Sequence, residues 1–483
     1  MELEDDGKLR SALDIALGRF QGSSEADRKK VVVDEDSTYD ERFFVPLDDL
    51  TNTDLDDSEE EKVIHSAEVV SNVTREELED LTMPSLPGPE LGDFPVACHY
   101  RGPLFDFGGY ARMNRTFIFG LSDMGSLIKV DPLDSINNVN QRTEQALLEM
   151  KRNPVPPDYP KIYGMTIPSL LAHGGRKILY TMMETSMKLH PEYAERLCLS
   201  DEIWVPSSWC KEVFEASGVS SDIRVMPLGV DTRRYRPALE PLKFGGSENL
   251  RSFRFLSVFG WSYRKGFDVL IRAFLEEFSN KDDVSLILST RFAGTTEEKS
   301  HRRILDDFNQ VRAMVPKEDH EMPHIALHSA YTPEKDMPHL YNAAHCFILI
   351  SRGEGFGLPY CEAGACGLPV IASDHGGQRD FLDDETAYLV PPDGYRETKR
   401  TDPPFQNLAW ISHFYEDQKF PTYEEKALQL TRQHMRHVYE NYSEASIKGN
   451  RLKDRMRNEF DWSISIKKVY GRLVEICDDI RRG

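Results

Sequence analysis

Twelve short apolar runs alternate with helix-like stretches between residues 94 and 390, and no other feature restricts the fold of this chain as strongly. FPVACHY, SLIKV, KIYGMTI, KILYTMME, EIWVPS and RVMPLGV form a first series. FRFLSVFG, VSLILST, HIALHSA, CFILIS, PVIAS and AYLVPP form a second. The runs lack apolar/polar alternation, as parallel strands do when both faces are covered. Between them lie helical patterns such as YARMNRTFIFGL, SWCKEVFEASG, FDVLIRAFLEEF and KSHRRILDDFNQVRAM. A proline- and glycine-rich segment, RPALEPLKFGGSENL, separates the two series. This pattern predicts an α/β protein with two facing, doubly wound, Rossmann-like domains. Ligands of such sheets bind at the carboxyl ends of the strands, so the interdomain cleft is the expected site.

A length of 483 residues suits two or three domains. The expected division is an acidic extension over 1–92, a first Rossmann-like domain over 93–240, a second over 241–423 and a helical segment over 424–483. The net charge of −22 is concentrated in the extension, where 26 Asp and Glu face 9 Lys and Arg. The rest of the chain holds 55 acids and 50 bases, and no basic block stands out, which argues against nucleic acid as a partner. Within the extension, Leu9, Leu13, Ala16, Leu17 and Phe20 share one helical face, and Thr74 and Glu77 have capping-box spacing. The segment reads either as a solvated tail or as an element for docking or self-association. No stretch has the roughly 18 consecutive apolar residues of a membrane span, and the start MELEDDGKLR lacks the apolar core of a secretory signal. Peripheral membrane contact stays open. Seven scattered cysteines without C-x-x-C spacing suit a reducing, cytoplasmic setting and give neither a disulfide framework nor a zinc site.

Three stretches could carry chemistry. SRGEGFGLPYCE follows the apolar run CFILI and precedes a small-residue helix. Gly355 and Gly357 allow backbone amides to approach a ligand, and Pro359 suits the first residue of a helix. Amides at such a helix start favour an anion such as phosphate. Glu362 can accept hydrogen bonds from vicinal hydroxyls, and Glu354 can face a sugar or an attacking group. Either glutamate alone could simply complement the helix dipole. The second stretch is GWSYRKGF, where Arg264 and Lys265 follow a strand and can neutralise a diphosphate, although an isolated pair is also an ordinary charged turn. The third is GPLFDFGGYARMNR, where Gly108 and Gly109 make a strand-to-helix turn that serves equally as a phosphate contact or a plain connection. An Asp54-Leu-Asp56 triplet in the acidic run is the kind of match expected by chance, and no paired histidines have metal-ligand spacing.

GEGFGLPYCE, within EGFGLPYCEAGACGLPVIAS, resembles the E-x7-E signature of the retaining glycosyltransferases of GT-B fold, the glycogen-synthase-like and sucrose-synthase-like group. RKGFDVLIRAF, VPSSWCKEVF, MPLGVDTRRYRP and DFGGYARMNR accompany it in the expected order, so the resemblance covers residues 94 to about 395. It implies an acceptor domain followed by a donor domain, with a last helix crossing back to the first. It further implies a hexosyltransferase that uses a nucleoside-diphosphate sugar, a UDP- or GDP-sugar foremost, without metal or other cofactor. By position, Arg264 and Lys265 are the diphosphate clamp, Glu362 the ribose ligand and Glu354 the residue facing the transferred sugar. Amides of Gly355, Phe356, Gly357 and Leu358 hold sugar and phosphate, Gly109 sits near the diphosphate, and the base lies near Tyr331-Thr-Pro333. Two departures stand out. Many relatives carry a separate arginine where this chain reads Trp261-Ser-Tyr263, and a histidine where YTMMETS places Glu184, which then either orients the acceptor or fills space. A nucleotide-using epimerase or phosphorylase and a catalytically silent binding scaffold are the alternative readings.

Overall fold

A computed structural model describes residues 94–482 except 107, 135–138, 167–173, 185–186, 245–246, 293–295 and 399–416. The readings of the acidic extension and of Asp54-Leu-Asp56 lie outside the described residues. The first series of apolar runs forms β1 (Ala97–Gly102), β2 (Leu127–Pro132), β3 (Lys161–Gly164), β4 (Lys177–Tyr180), β5 (Glu202–Val205) and β6 (Asp222–Val225). They make one parallel sheet in the order β2-β1-β3-β4-β5-β6. The second series forms β7 (Phe253–Gly260), β8 (Val284–Arg291), β9 (His324–His328), β10 (Cys346–Leu349), β11 (Val370–Ser373) and β12 (Tyr388–Val390), in the order β12-β11-β10-β7-β8-β9. Chain order reverses between β7 and β10, so a crevice opens where the loops leaving these two strands diverge.

The burial explains why the strand runs read as they do. Every residue of β10 and β11 is buried, as is β8 apart from its last residue, because helices cover both sheet faces. A short antiparallel hairpin of β13 (Gly394–Glu397) and β14 (Lys419–Thr422) was not legible in the sequence. GYRE has no buried residue, and KFPT contains a proline that weakens any strand reading.

The segment expected to pack back on the first domain divides its contacts. Helix Glu425–Glu440 lies on Phe267–Glu277 of the second domain, where Arg436 reaches Glu277 at 2.9 Å and Arg432 reaches Glu276 at 3.1 Å. Helix Tyr442–Glu459 presses Leu452 against Gly364, also in the second domain. Only helix Trp462–Arg482 crosses to the first domain. There the Trp462 ring meets Phe117 edge-on at 5.4 Å. Arg472 reaches the fully buried Glu202 at 2.8 Å, and Arg176 and Arg224 approach the same carboxylate at 3.0 and 3.1 Å. Burial alone would raise the Glu202 pKa, but the Arg472 and Trp204 hydrogen bonds hold it below the ordinary value. The division follows from side chains: the first two helices present their apolar faces to the second domain, and the third buries Val469, Leu473 and Ile476 on the first.

Three histidines lie against rings: His328 on Phe244 and His375 edge-on to Trp209 at 4.5 Å, both buried, and the half-buried His345 on Phe253. Burial lowers each from 6.5 to about 4. Lowered values mean that the unfolded chain binds more protons between these limits, so stability falls as pH drops from 6.5 towards 4. The midpoint of thermal unfolding is therefore expected to drop clearly between about pH 7.5 and about pH 5. A flat profile over that range contradicts neutral burial of these rings.

Candidate active site

The loops leaving β7 and β10 are locked together at their bases. The turn Tyr263–Lys265 ends at Gly266, whose φ of 68° is left-handed. A Cβ at this position would lie 1.8 Å from the carbonyl oxygen of Ile350, at the end of β10, so both the conformation and the approach require glycine. Arg352 closes the same junction from the other side. It forms a forked pair with Asp268 at 2.7 and 2.8 Å and stacks on Tyr263 at 3.7 Å.

This junction brings Lys265 and Glu354 together at 2.6 Å, both of them largely buried. Burial pulls the Lys265 pKa down, and the charge of Glu354 offsets part of that. Burial would push Glu354 up, but Lys265 and Arg264 hold it below the ordinary carboxylate value, so it stays ionised. Arg264 donates to the Gly353 carbonyl at 2.5 Å and approaches Glu184 of the first domain at 3.5 Å. Four of the sequence-predicted residues thus converge: Arg264, Lys265, Glu354 and Glu184.

Glu362 lies in helix Leu358–Ala365, which starts at Leu358, one residue before the expected Pro359. The helix is preceded by Gly357 at φ 98°. Glu362 is buried, and each of its carboxylate oxygens already holds a protein donor. Arg112 of the first domain donates to Oε1 at 2.5 Å, and Tyr341 of the second donates to Oε2 at 2.7 Å. The ring of Phe356 is buried between Phe381 and Phe460, so only its backbone is available to a ligand. Gly355 has a use not foreseen: a Cβ there would lie 2.9 Å from Met182 of the first domain. A Cβ at Gly353 would press on the Glu184 carbonyl at 2.3 Å. The small residues of this loop let the opposite domain close on it, and Ser207 donates across the gap to the Gly355 carbonyl at 2.7 Å.

Gly109 opens helix Gly109–Asp123 and is exposed, with open space where a Cβ would stand. Tyr331 is half-buried in the loop after β9, its ring 5.8 Å from the Arg291 guanidinium. Three residues later Glu334 pairs with Arg112 at 3.3 Å, which ties this loop to the Glu362 cluster. Sequence reasoning missed Arg112, Tyr341, Arg352 and Tyr110. The hydroxyl of Tyr110 accepts from the Met182 amide at 3.0 Å and so fixes the strand end that carries Glu184. Tyr110 and Arg112 follow the Gly108-Gly109 turn directly, which was the available signal, but partners 72 and 250 residues away leave no local mark.

Residues 251–399 match a family model described as Glycosyl transferases group 1. The second domain resembles these enzymes. Over 63 residues the chain is 52% identical to O-antigen chain mannosyltransferase B of Escherichia coli, which covers 13% of this chain and 16% of that one. It is 28% identical over 163 residues to mannosylfructose-phosphate synthase of Agrobacterium fabrum, covering 32% and 33%. The chain therefore spans no more than about a third of the length of these two curated relatives. Sucrose-phosphate synthase from Thermosynechococcus elongatus superposes with a TM-score of 0.54 at 16% identity, over 80% of this chain and all of that one. The fold is GT-B. Among the described residues no helix is long and apolar enough to cross a membrane.

The geometry separates two glycines. Gly266→Ala must adopt a left-handed φ and meet a backbone carbonyl, and is expected to cost more than about 2 kcal/mol of stability. Gly109→Ala meets nothing and is expected to unfold within about 0.5 kcal/mol of the native protein. Denaturant unfolding of both variants checks this, and equal stabilities contradict the tight junction of β7 with β10.

Proposed function

We propose that the chain is a retaining glycosyltransferase that moves a hexosyl group from a nucleoside-diphosphate sugar to an acceptor hydroxyl, without a metal ion. The observation that carries this reading is the meeting of Arg264, Lys265 and Glu354 at the crevice between β7 and β10, beside the start of helix Leu358–Ala365. Two cations and a helix N-terminus suit a diphosphate. Glu362, further along that helix, suits the ribose, and Glu354 faces the sugar. Amides of Gly355, Phe356, Gly357 and Leu358 complete the donor seat from one side and Gly109 from the other. The base lies against the segment that begins at Tyr331. The match to group 1 glycosyl transferases over 251–399 supports the same class, and the mannosyl names of two relatives put mannose-bearing donors first in any screen.

In the proposed step the bond between the sugar's anomeric carbon and the diphosphate oxygen breaks. The acceptor oxygen bonds to that carbon on the same face, and its proton passes to the departing phosphate oxygen. Lys265 and Arg264 stabilise the charge that develops on the diphosphate. Glu354 is held ionised by Lys265 and can stabilise positive charge on the sugar ring. Glu184 reaches the site from the acceptor side and orients the attacking hydroxyl. A strong base is not needed, because positioning and charge stabilisation supply most of the barrier reduction.

Incubation with a panel of UDP-, GDP- and ADP-sugars and candidate acceptors is expected to release nucleoside diphosphate in an acceptor-dependent way. The product is expected to keep the donor's anomeric configuration by NMR, and a chelator is expected to leave the rate unchanged. Lys265→Ala is expected to lower kcat at least about tenfold, the scale of one lost charge-assisted contact. An inverted product, or native kinetics in the Lys265 variant, refutes the mechanism or the clamp respectively.

A further inference from the structure

Arg112 is placed as no general feature of a nucleotide seat requires. Its guanidinium is held on three nitrogens: Nη1 donates to Glu362 at 2.5 Å, Nη2 to the Tyr235 hydroxyl at 3.2 Å, and Nε pairs with Glu334 at 3.3 Å. Burial alone would lower its pKa, but Glu362, Tyr235 and Glu334 outweigh that and hold the group charged. Arg112 belongs to the first domain, in helix Gly109–Asp123, whereas Glu334, Tyr341 and Glu362 belong to the second. The side chain of Glu362 is only 4% exposed, so its orientation depends on these partners.

A carboxylate offers about four lone-pair positions, two on each oxygen. Arg112 takes one on Oε1 and Tyr341 one on Oε2. One position remains on each oxygen, in the fixed plane of the group, which is the acceptor pattern a vicinal diol requires. We propose that Arg112 is a positioning residue that sets Glu362 for the ribose diol and supplies that grip only when the two domains are closed. Donor binding and domain closure are then one event: the ribose is held best in the state in which the first domain has delivered Arg112. This inference rests on the nucleotide-sugar reading above and adds to it a residue from the acceptor-side domain that controls donor affinity.

The test compares ribose with dideoxyribose ligands. Titration calorimetry of uridine and guanosine diphosphates and their dideoxyribose analogues is run on native protein, Arg112→Gln, Arg112→Lys and Glu362→Gln. Thermal unfolding of each variant confirms that it folds. Native protein is expected to prefer the ribose form by at least about tenfold, the scale of hydrogen bonds to a charged group. Glu362→Gln and Arg112→Gln are both expected to shrink that preference to within about twofold, through weaker ribose binding and little change in dideoxyribose binding. Arg112→Lys keeps a cation without the fork and is expected to fall between; it stands in if Arg112→Gln does not fold. A full ribose preference in the Arg112 variants, with loss only in Glu362→Gln, overturns the positioning role and leaves the donor site intact. Equal loss for both ligands also overturns it, since that marks a general structural effect. Absence of any nucleotide binding by native protein overturns the underlying functional reading and this inference with it.

Discussion

The contact between Lys265 and Glu354 depends on strand order more than on anything local. The two residues are 89 positions apart and meet at 2.6 Å because β7 and β10 are neighbours at the point where the second sheet reverses direction. Each of the two loops is too short to wander. One is pinned by Gly266 under the Ile350 carbonyl, the other by Arg352 on Asp268 and Tyr263. A buried ion pair contributes little net stability once its desolvation is counted. Burial lowers the Lys265 pKa while Lys265 and Arg264 hold Glu354 below the ordinary carboxylate value, and perturbed groups meeting in a crevice mark a candidate site more than a stabilising contact.

The first domain completes the site from across the cleft. Met182, Glu184 and Ser207 touch the loop of Gly353 and Gly355, and Arg112 touches Glu362. Helix Trp462–Arg482 helps to keep the domains in register, since it leaves the second domain at Phe460 and is anchored in the first by Arg472 on Glu202. Gly353 and Gly355 therefore let the opposing domain approach, while Gly357 fits against Tyr360 and Gln378 of its own domain at the helix start. A larger residue at 353 would separate the domains before it reached any ligand.

Much of this was legible in the sequence because strand burial and motif spacing are local signals. All twelve strands of the two parallel sheets overlap the twelve apolar runs, although β6 shares only Arg224 and Val225 with RVMPLGV, and Arg264, Lys265 and Glu354 converge as their positions after strands suggested. The contacts of Arg112, Tyr341 and Tyr110 were not legible, because an arginine or tyrosine on a helix carries no mark of a partner on a distant element, which for Arg112 lies in the other domain. The β13–β14 hairpin was missed because its strands are short and one is exposed. The helical tail was recognised, but which domain each of its helices serves depends on tertiary packing that periodicity does not encode.

A crystal structure with a bound nucleotide sugar tests the central claim most directly. The diphosphate is expected within hydrogen-bonding distance of Lys265 and Arg264, and both ribose hydroxyls on Glu362 with Arg112 still at its Oε1. A donor whose diphosphate touches neither cation, or whose ribose lies away from Glu362, would contradict it.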